Sequence, residues 1–90
     1  MADISHIRKK ISEIAQRRKN VELSDIQWVV EHLGMNGYSV SQRSNDHATL
    51  FRIGERQFSI CRHHRGSKQI KVCYVDEFLD VMEDLDLYEN

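Results

Sequence analysis

Two stretches near the middle of this chain hold three of its five histidines, and five of its eight arginines lie in, beside or between them. The first reads Asn45-Asp46-His47-Ala48-Thr49-Leu50-Phe51, and the second reads Arg62-His63-His64-Arg65-Gly66. Imidazole is the side chain best suited to proton transfer near neutral pH, and the planar guanidinium group of arginine is well matched to phosphate. These residue types together indicate a site that acts on a phosphodiester.

RNA can be cut without a metal ion by histidine acting together with arginine or lysine. A base removes the proton of the ribose 2′-hydroxyl, this oxygen attacks the adjacent phosphate, and cations stabilise the added negative charge. We expect His47 to be the base, because it lies where a turn leads into a strand. His63, or His64 beside it, is the candidate acid for the leaving 5′-oxygen. The alternative is that His47 is a polar turn residue without a role and that the second stretch is a solvated loop.

The predicted RNA-binding residues are basic side chains on and around these two stretches, because cations that neutralise phosphates supply most of the affinity for nucleic acid. They are Arg43, Arg52, Arg62, His64, Arg65, Lys68 and Lys71. A second basic region follows the outer face of the predicted N-terminal helix, between Arg8 and Lys19. That region has two interpretations: a solvated helix face, or a further contact with an RNA backbone.

The two cysteines offer only weak support for a metal site. Cys61, His63 and Cys73 provide soft ligands, but their spacing matches no familiar zinc motif. We therefore expect no metal ion and no other cofactor. We also expect both cysteines to remain reduced thiols rather than to form a disulfide.

A chain of 90 residues is long enough for one domain, residues 1–90. Its charge is uneven: residues 1–71 carry a net charge of +6, and residues 72–90 carry −7. An acidic C-terminal segment would repel a phosphate backbone, although it is equally explained as the solvated face of a helix. Because the chain lacks a long apolar run and an apolar leader at its N-terminus, we expect a cytoplasmic protein without a membrane partner.

Three segments have the apolar spacing of amphipathic helices. The first runs from about Ile4 to Arg18, with Asp3 or Ser5 as its cap, and the last runs from about Tyr74 to Leu85. Between them, a helix is predicted to start at Ser24, in a capping box with Gln27, and to end near Leu33.

Between the second and last helices the apolar period changes to two, which predicts strands. They are Tyr38–Gln42, Ala48–Ile53 and Gln57–Cys61, joined by short turns at 44–46 and 54–56. The predicted fold is a two-layer α+β domain, in which helices pack on a three-stranded antiparallel sheet in the order α-α-β-β-β-α.

Four motifs in this order resemble the HicA-type toxins of bacterial toxin–antitoxin pairs, in the branch with an extra N-terminal helix. The segment from Lys19 to Ile26 resembles the start of that family's first core helix, and Gly37-Tyr38 resembles the opening of its first strand. The segment from Asp46 to Phe51 is similar to its histidine motif, and the segment from Lys71 to Leu79 is similar to the start of its final helix. The resemblance extends over nearly the whole chain.

The resemblance implies a fold like that of double-stranded-RNA-binding domains, with residues 1–19 as an N-terminal helical extension and residues 22–90 as the core. It also implies a metal-independent endoribonuclease that cuts mRNA and is neutralised by a HicB-like antitoxin, with His47 as the catalytic base. In that family a glycine and a serine or threonine usually precede the histidine, whereas this chain has Asn45-Asp46. Asp46 either repels the phosphate or orients the imidazole. The alternatives are a non-catalytic RNA-binding module of the same fold and a protein-interaction domain.

Overall fold

Three α-helices and three β-strands follow one another in the predicted order α-α-β-β-β-α, which confirms the two-layer α+β fold. The computed structural model describes residues 3–61 and 69–89. The helices are α1 (Ile4–Gln16), α2 (Leu23–Met35) and α3 (Val72–Asp84), and a short 3-10 helix, Arg18–Asn20, lies between the first two. The strands are β1 (Val40–Ser44), β2 (Ala48–Ile53) and β3 (Arg56–Cys61). Within residues 3–61 and 69–89, no helix is long and apolar enough to cross a membrane.

The starts of the first two helices differ in how well the sequence predicted them. Asp3 caps α1 as expected, since its carboxylate accepts a hydrogen bond from the backbone N–H of His6 at 3.0 Å. The prediction that Ser24 caps α2 is wrong, because the helix starts at Leu23. Glu22 is the cap residue, and its N–H donates to the Asp25 carboxylate at 3.0 Å. Glu22 and Asp25 therefore form the capping box that was expected of Ser24 and Gln27.

A turn after α2 delays the first strand relative to its predicted position. Gly37 has a φ of +95°, a conformation that side chains with a Cβ rarely adopt. The Tyr38 N–H donates back to the Leu33 carbonyl at 3.1 Å, which closes the end of α2. As a result, β1 begins at Val40 rather than at Tyr38.

Gly34 sets how closely α2 approaches β1. A Cβ built at Gly34 would lie 2.8 Å from Cγ2 of Val40, closer than real Cβ contacts. A glycine at this position therefore lets the helix and the first strand pack together.

The sheet is an antiparallel meander in the order β1-β2-β3. Ile53 pairs with Arg56 across the two-residue turn Gly54–Glu55. Gly54 has a φ of +60°, as expected for the first central residue of a type II′ turn, which suits the twist of a hairpin. The β2 strand has the boundaries that the sequence predicted, and β3 begins one residue earlier than predicted.

One face of the sheet packs against the helices and forms the core. The burial pattern alternates along β2, so that Thr49, Phe51 and Ile53 face the helices while Leu50 and Arg52 face outward. The Phe51 and Phe58 rings stack at 5.2 Å between centroids, and the Phe58 ring meets the Phe78 ring edge to face at 5.8 Å. Burial of each such side chain stabilises the fold by about 1.5–3 kcal/mol. The core continues into the helices through Ile7, Ile11, Ile14, Ile26, Val29, Leu33, Val75 and Met82.

Candidate functional site

His47 lies in a two-residue turn, Asp46–His47, that joins β1 to β2, and Asn45 fixes this turn. The Asn45 side-chain oxygen accepts hydrogen bonds from the N–H groups of His47 and Ala48, both at 2.8 Å. The Asn45 N–H in turn donates to the Ala48 carbonyl at 2.9 Å. In the described part of the chain the one non-glycine residue with positive φ is Asp86, so this turn has no need of glycine. The Asn45 side chain therefore closes this turn without a glycine.

The His47 side chain is exposed to solvent. No described side chain forms a hydrogen bond or an ion pair with its imidazole, and the carboxylate of the neighbouring Asp46 does not pair with it. Two roles were considered for Asp46: repelling the phosphate and orienting the imidazole. The second would need a hydrogen bond between these two described side chains, and the structure does not contain it. The imidazole ring is therefore accessible from solvent.

Arg43 and Arg52 project from the exposed face of the hairpin that carries His47. Arg43 pairs with Leu50, and Arg52 pairs with Ser41, so the two arginines are diagonal neighbours on the same face. Such diagonal positions lie about 7–8 Å apart. The Arg52 Nε donates to the Gly54 carbonyl at 3.2 Å, which leaves the rest of its guanidinium group available. Neither arginine is in an ion pair with a described carboxylate.

The basic residues near the end of α1 have partners within the molecule. Lys10 Nζ and Arg17 Nη2 both contact Asp25 Oδ1, at 2.9 and 3.2 Å. Arg18 Nη1 contacts Asp76 at 2.8 Å, which ties the 3-10 helix to α3. Of the two interpretations given to this basic region, these contacts favour a structural role over RNA binding for these three residues.

The contacts of this cluster stabilise the ionised form of the Asp25 carboxyl. Burial alone would raise the pKa of the Asp25 carboxyl, but hydrogen bonds from Arg17, the Glu22 N–H and Lys10 lower that pKa to about 2. The Asp25 side chain is only 15% exposed, so solvent screens these contacts weakly. The cluster is therefore a structural ion-pair network around one largely buried carboxylate.

The start of α3 lies at the same end of the sheet as His47. Cys61, the last residue of β3, pairs with Ala48, which directly follows His47. Tyr74 in the first turn of α3 forms a hydrogen bond with Cys61, and this bond is the main cause that raises the pKa of Tyr74 to about 12. The chain before α3 is held by the Ile70 N–H, which donates to the Val21 carbonyl at 2.9 Å. The exposed Lys71 is the cap residue of α3 and lies three residues before Tyr74, at this same end of the sheet.

The structure describes four of the nine predicted site residues. It brings Arg43, His47 and Arg52 together on one hairpin and Lys71 to the same end of the sheet. The other five lie outside the described residues, and their roles stay predictions; they are Arg62, His63, His64, Arg65 and Lys68. The sequence predicted Asn45 as a turn residue that bonds its own backbone, and its side-chain hydrogen bonds to the His47 and Ala48 N–H groups confirm this.

The described residues do not contain a group of three or more histidine, cysteine, aspartate or glutamate side chains that could hold a metal ion. Cys61 and Cys73 are free thiols, the first partly buried and the second exposed.

Comparison with known proteins identifies no relative: no family model, no curated protein and no solved structure matches this chain. The likeness to HicA-type toxins and to double-stranded-RNA-binding domains thus stays a prediction from the residues.

Proposed function

We propose that this protein is a HicA-like toxin that cuts mRNA as a metal-independent endoribonuclease in the cytoplasm. One observation carries the proposal: the β1–β2 hairpin presents an exposed imidazole at its tip and two arginines without carboxylate partners among the described residues on its outer face. Arg43 is about 10 Å from the turn along the strand, which is within reach of neighbouring phosphates of one RNA strand. Lys71, at the same end of the sheet, adds a further cation.

In the proposed reaction His47 removes the proton of the ribose 2′-hydroxyl. The freed oxygen attacks the adjacent phosphorus, and the bond to the 5′-oxygen breaks as that oxygen takes a proton from an acid, for which His63 is our candidate. Arg43 and Arg52, about 10 and 17 Å from the turn along their strands, bind phosphates further along the same RNA strand and hold it against His47. Asp46 opposes the approach of RNA, at a cost of about 1 kcal/mol or more at a surface dielectric.

A toxin of this kind needs a neutralising partner, which we propose to be a HicB-like antitoxin. Covering the exposed face of the β1–β2 hairpin would be sufficient for neutralisation, because the imidazole and both arginines lie on this one hairpin. Blocking that hairpin would remove the base and two of the phosphate contacts together.

The replacement His47→Ala tests the proposed activity. General-base catalysis contributes about 10²- to 10⁴-fold, so the variant should cut RNA more slowly by at least two orders of magnitude. Its thermal unfolding midpoint should be unchanged, because the replaced side chain is exposed and makes no described contact. The measurement is a time course of cleavage of a defined mRNA fragment in chelator, followed on denaturing gels.

His6→Ala is the matched control. His6 is also an exposed histidine, but it lies in α1 and its ring pairs with Asp3 at 3.0 Å. This variant should cut RNA at the wild-type rate. If wild type, His47→Ala and His6→Ala all leave RNA intact at concentrations where they bind it, the proposed endoribonuclease activity is excluded.

That outcome would leave a second function, a non-catalytic RNA-binding module. The observation in its favour is that no described group orients the His47 imidazole, as partners commonly do for a catalytic histidine. Such a module would bind RNA through Arg43 and Arg52 and would recognise backbone and shape rather than bases.

A further inference from the structure

A groove of about 470 Å³ runs between β3 and α3, on the opposite edge of the sheet from β1. Its sheet side and its helix side differ in character. The sheet wall is formed by uncharged side chains with one cation, Arg56, at its end, and three carboxylates of α3 line the other wall. The lining residues that matter here are Leu50, Gln57, Ser59, Glu77, Asp80 and Asp84.

The floor of this groove is an open strand edge. β3 pairs with β2 on one side only. In an antiparallel ladder every second residue points its N–H and C=O groups away from the paired strand. Within the described chain, no backbone hydrogen bond from another segment reaches the free edge of β3. The groove therefore offers backbone donors and acceptors to an added strand.

The helix wall determines the charge of the occupant. Glu77, Asp80 and Asp84 follow one another at spacings of three and four, so they share a face of α3. Arg56 contacts Asp84 at 3.1 Å and closes that end of the groove. Glu77 and Asp80 have no cationic partner among the described residues.

We infer that this groove binds an extended basic segment of a partner protein, which adds as a fourth strand beside β3 and places its lysines or arginines against Glu77 and Asp80. Nucleic acid is disfavoured, because its phosphates would face these carboxylates. A second copy of this chain is disfavoured too, because pairing two β3 edges would bring the acidic faces of two α3 helices towards each other. The inference stands apart from the proposed ribonuclease activity, since it involves neither His47 nor the outer arginines.

The geometry specifies the pattern of basic residues in the segment. Glu77 and Asp80 are separated by about 4.5 Å along the helix axis, and alternate residues of a strand by about 6.8 Å. The long side chains of lysine and arginine span the difference. Basic residues at alternate positions, all on the face towards α3, therefore fit the groove, with small or apolar residues between them.

The probe is a labelled peptide of roughly ten residues that alternates lysine and valine, a typical strand length, titrated with the full chain. Fluorescence anisotropy at low salt should show saturable binding, and a peptide alternating glutamate and valine should not bind. The double variant Glu77→Gln, Asp80→Asn should bind the lysine peptide roughly five- to tenfold more weakly. The control Glu13→Gln, Glu31→Gln, which removes two exposed carboxylates of α1 and α2, should bind it as wild type does.

A second peptide separates strand addition from simple charge attraction. N-methylation of its central residues keeps every lysine but removes backbone donors, so its binding should fall by about tenfold. Equal binding of both peptides would overturn strand addition, and equal binding by wild type and the Glu77→Gln, Asp80→Asn variant would overturn the site. A dimer in sedimentation that this variant alters, without any peptide binding, would assign the groove to a second copy and contradict the inference.

Discussion

Two basic regions of this protein look alike in the sequence and differ in the fold. Lys10 and Arg17 share the Asp25 carboxylate near the junction of α1 and α2, and each makes a contact of 3.2 Å or less. Arg43 and Arg52 project from the exposed face of the sheet, where no described carboxylate pairs with them. The first region has its charge balanced within the molecule, and the second has charge available to a ligand.

The difference shows that a count of charges does not locate a binding surface. The net positive charge of residues 1–71 does not distinguish the two basic regions as candidate binding surfaces. Arg18 is balanced by Asp76, which is 58 residues away in the sequence, so only the tertiary fold assigns it a structural role. Cations left without carboxylates after folding are the better candidates for phosphate binding.

The largest effect that distinguishes the two basic regions is expected from replacing Asp25. Asp25→Ala removes the acceptor shared by Lys10 and Arg17 and the one used by the Glu22 N–H. We expect the free energy of unfolding to fall by about 3 kcal/mol, because a half-buried charge network loses its centre. Chemical denaturation with urea measures this change.

Asp46→Ala is the matched control, since Asp46 is an exposed aspartate in the turn of the second region. Its effect on the free energy of unfolding should stay within about 0.5 kcal/mol. Equal losses from the two variants would mean that the first region is no more structural than the second.

The acid stability of the protein tests the same network by protonation. The pKa of Asp25 is lowered from 3.8 to about 2 in the folded state, so its stabilising contribution is fully present above pH 4. That contribution is lost as pH falls from about 4 to about 2, and it amounts to about 2 kcal/mol. Urea unfolding at a series of pH values should show this loss in wild type. If Asp25→Asn shows the same slope across this range, another group is responsible.

The sequence predicted the fold well where the apolar period is strong. The β-prone residues of Ala48–Ile53 predicted β2 with its observed boundaries, and the spacing of Ile7, Ile11 and Ile14 predicted the buried face of α1. Predictions were poorer at boundaries, because several residues can cap one helix. Glu22 and Asp25 took the role expected of Ser24 and Gln27, and Gly37 delayed the first strand.

The candidate site was predicted only in part, because its geometry depends on strand register and on tertiary packing. His47 was correctly expected between a turn and a strand, since Asn45 and Asp46 favour turns. That Arg43 and Arg52 share a face follows from strand register, and a shift of one residue would have separated them. The acidic groove required knowing that α3 lies beside β3, which no local pattern contains.

The most direct test of the distinction between the two regions is the salt dependence of RNA affinity, measured in the His47→Ala background to prevent cleavage. Arg43→Gln, Arg52→Gln should bind a single-stranded RNA roughly tenfold more weakly at about 100 mM salt. It should also reduce the slope of log affinity against log salt by about 1.4, as expected for two lost phosphate contacts on a single strand. Arg17→Gln, Arg18→Gln, checked to be folded by circular dichroism, should keep the slope of its parent. A normal slope in the first pair and a reduced slope in the second would contradict the account.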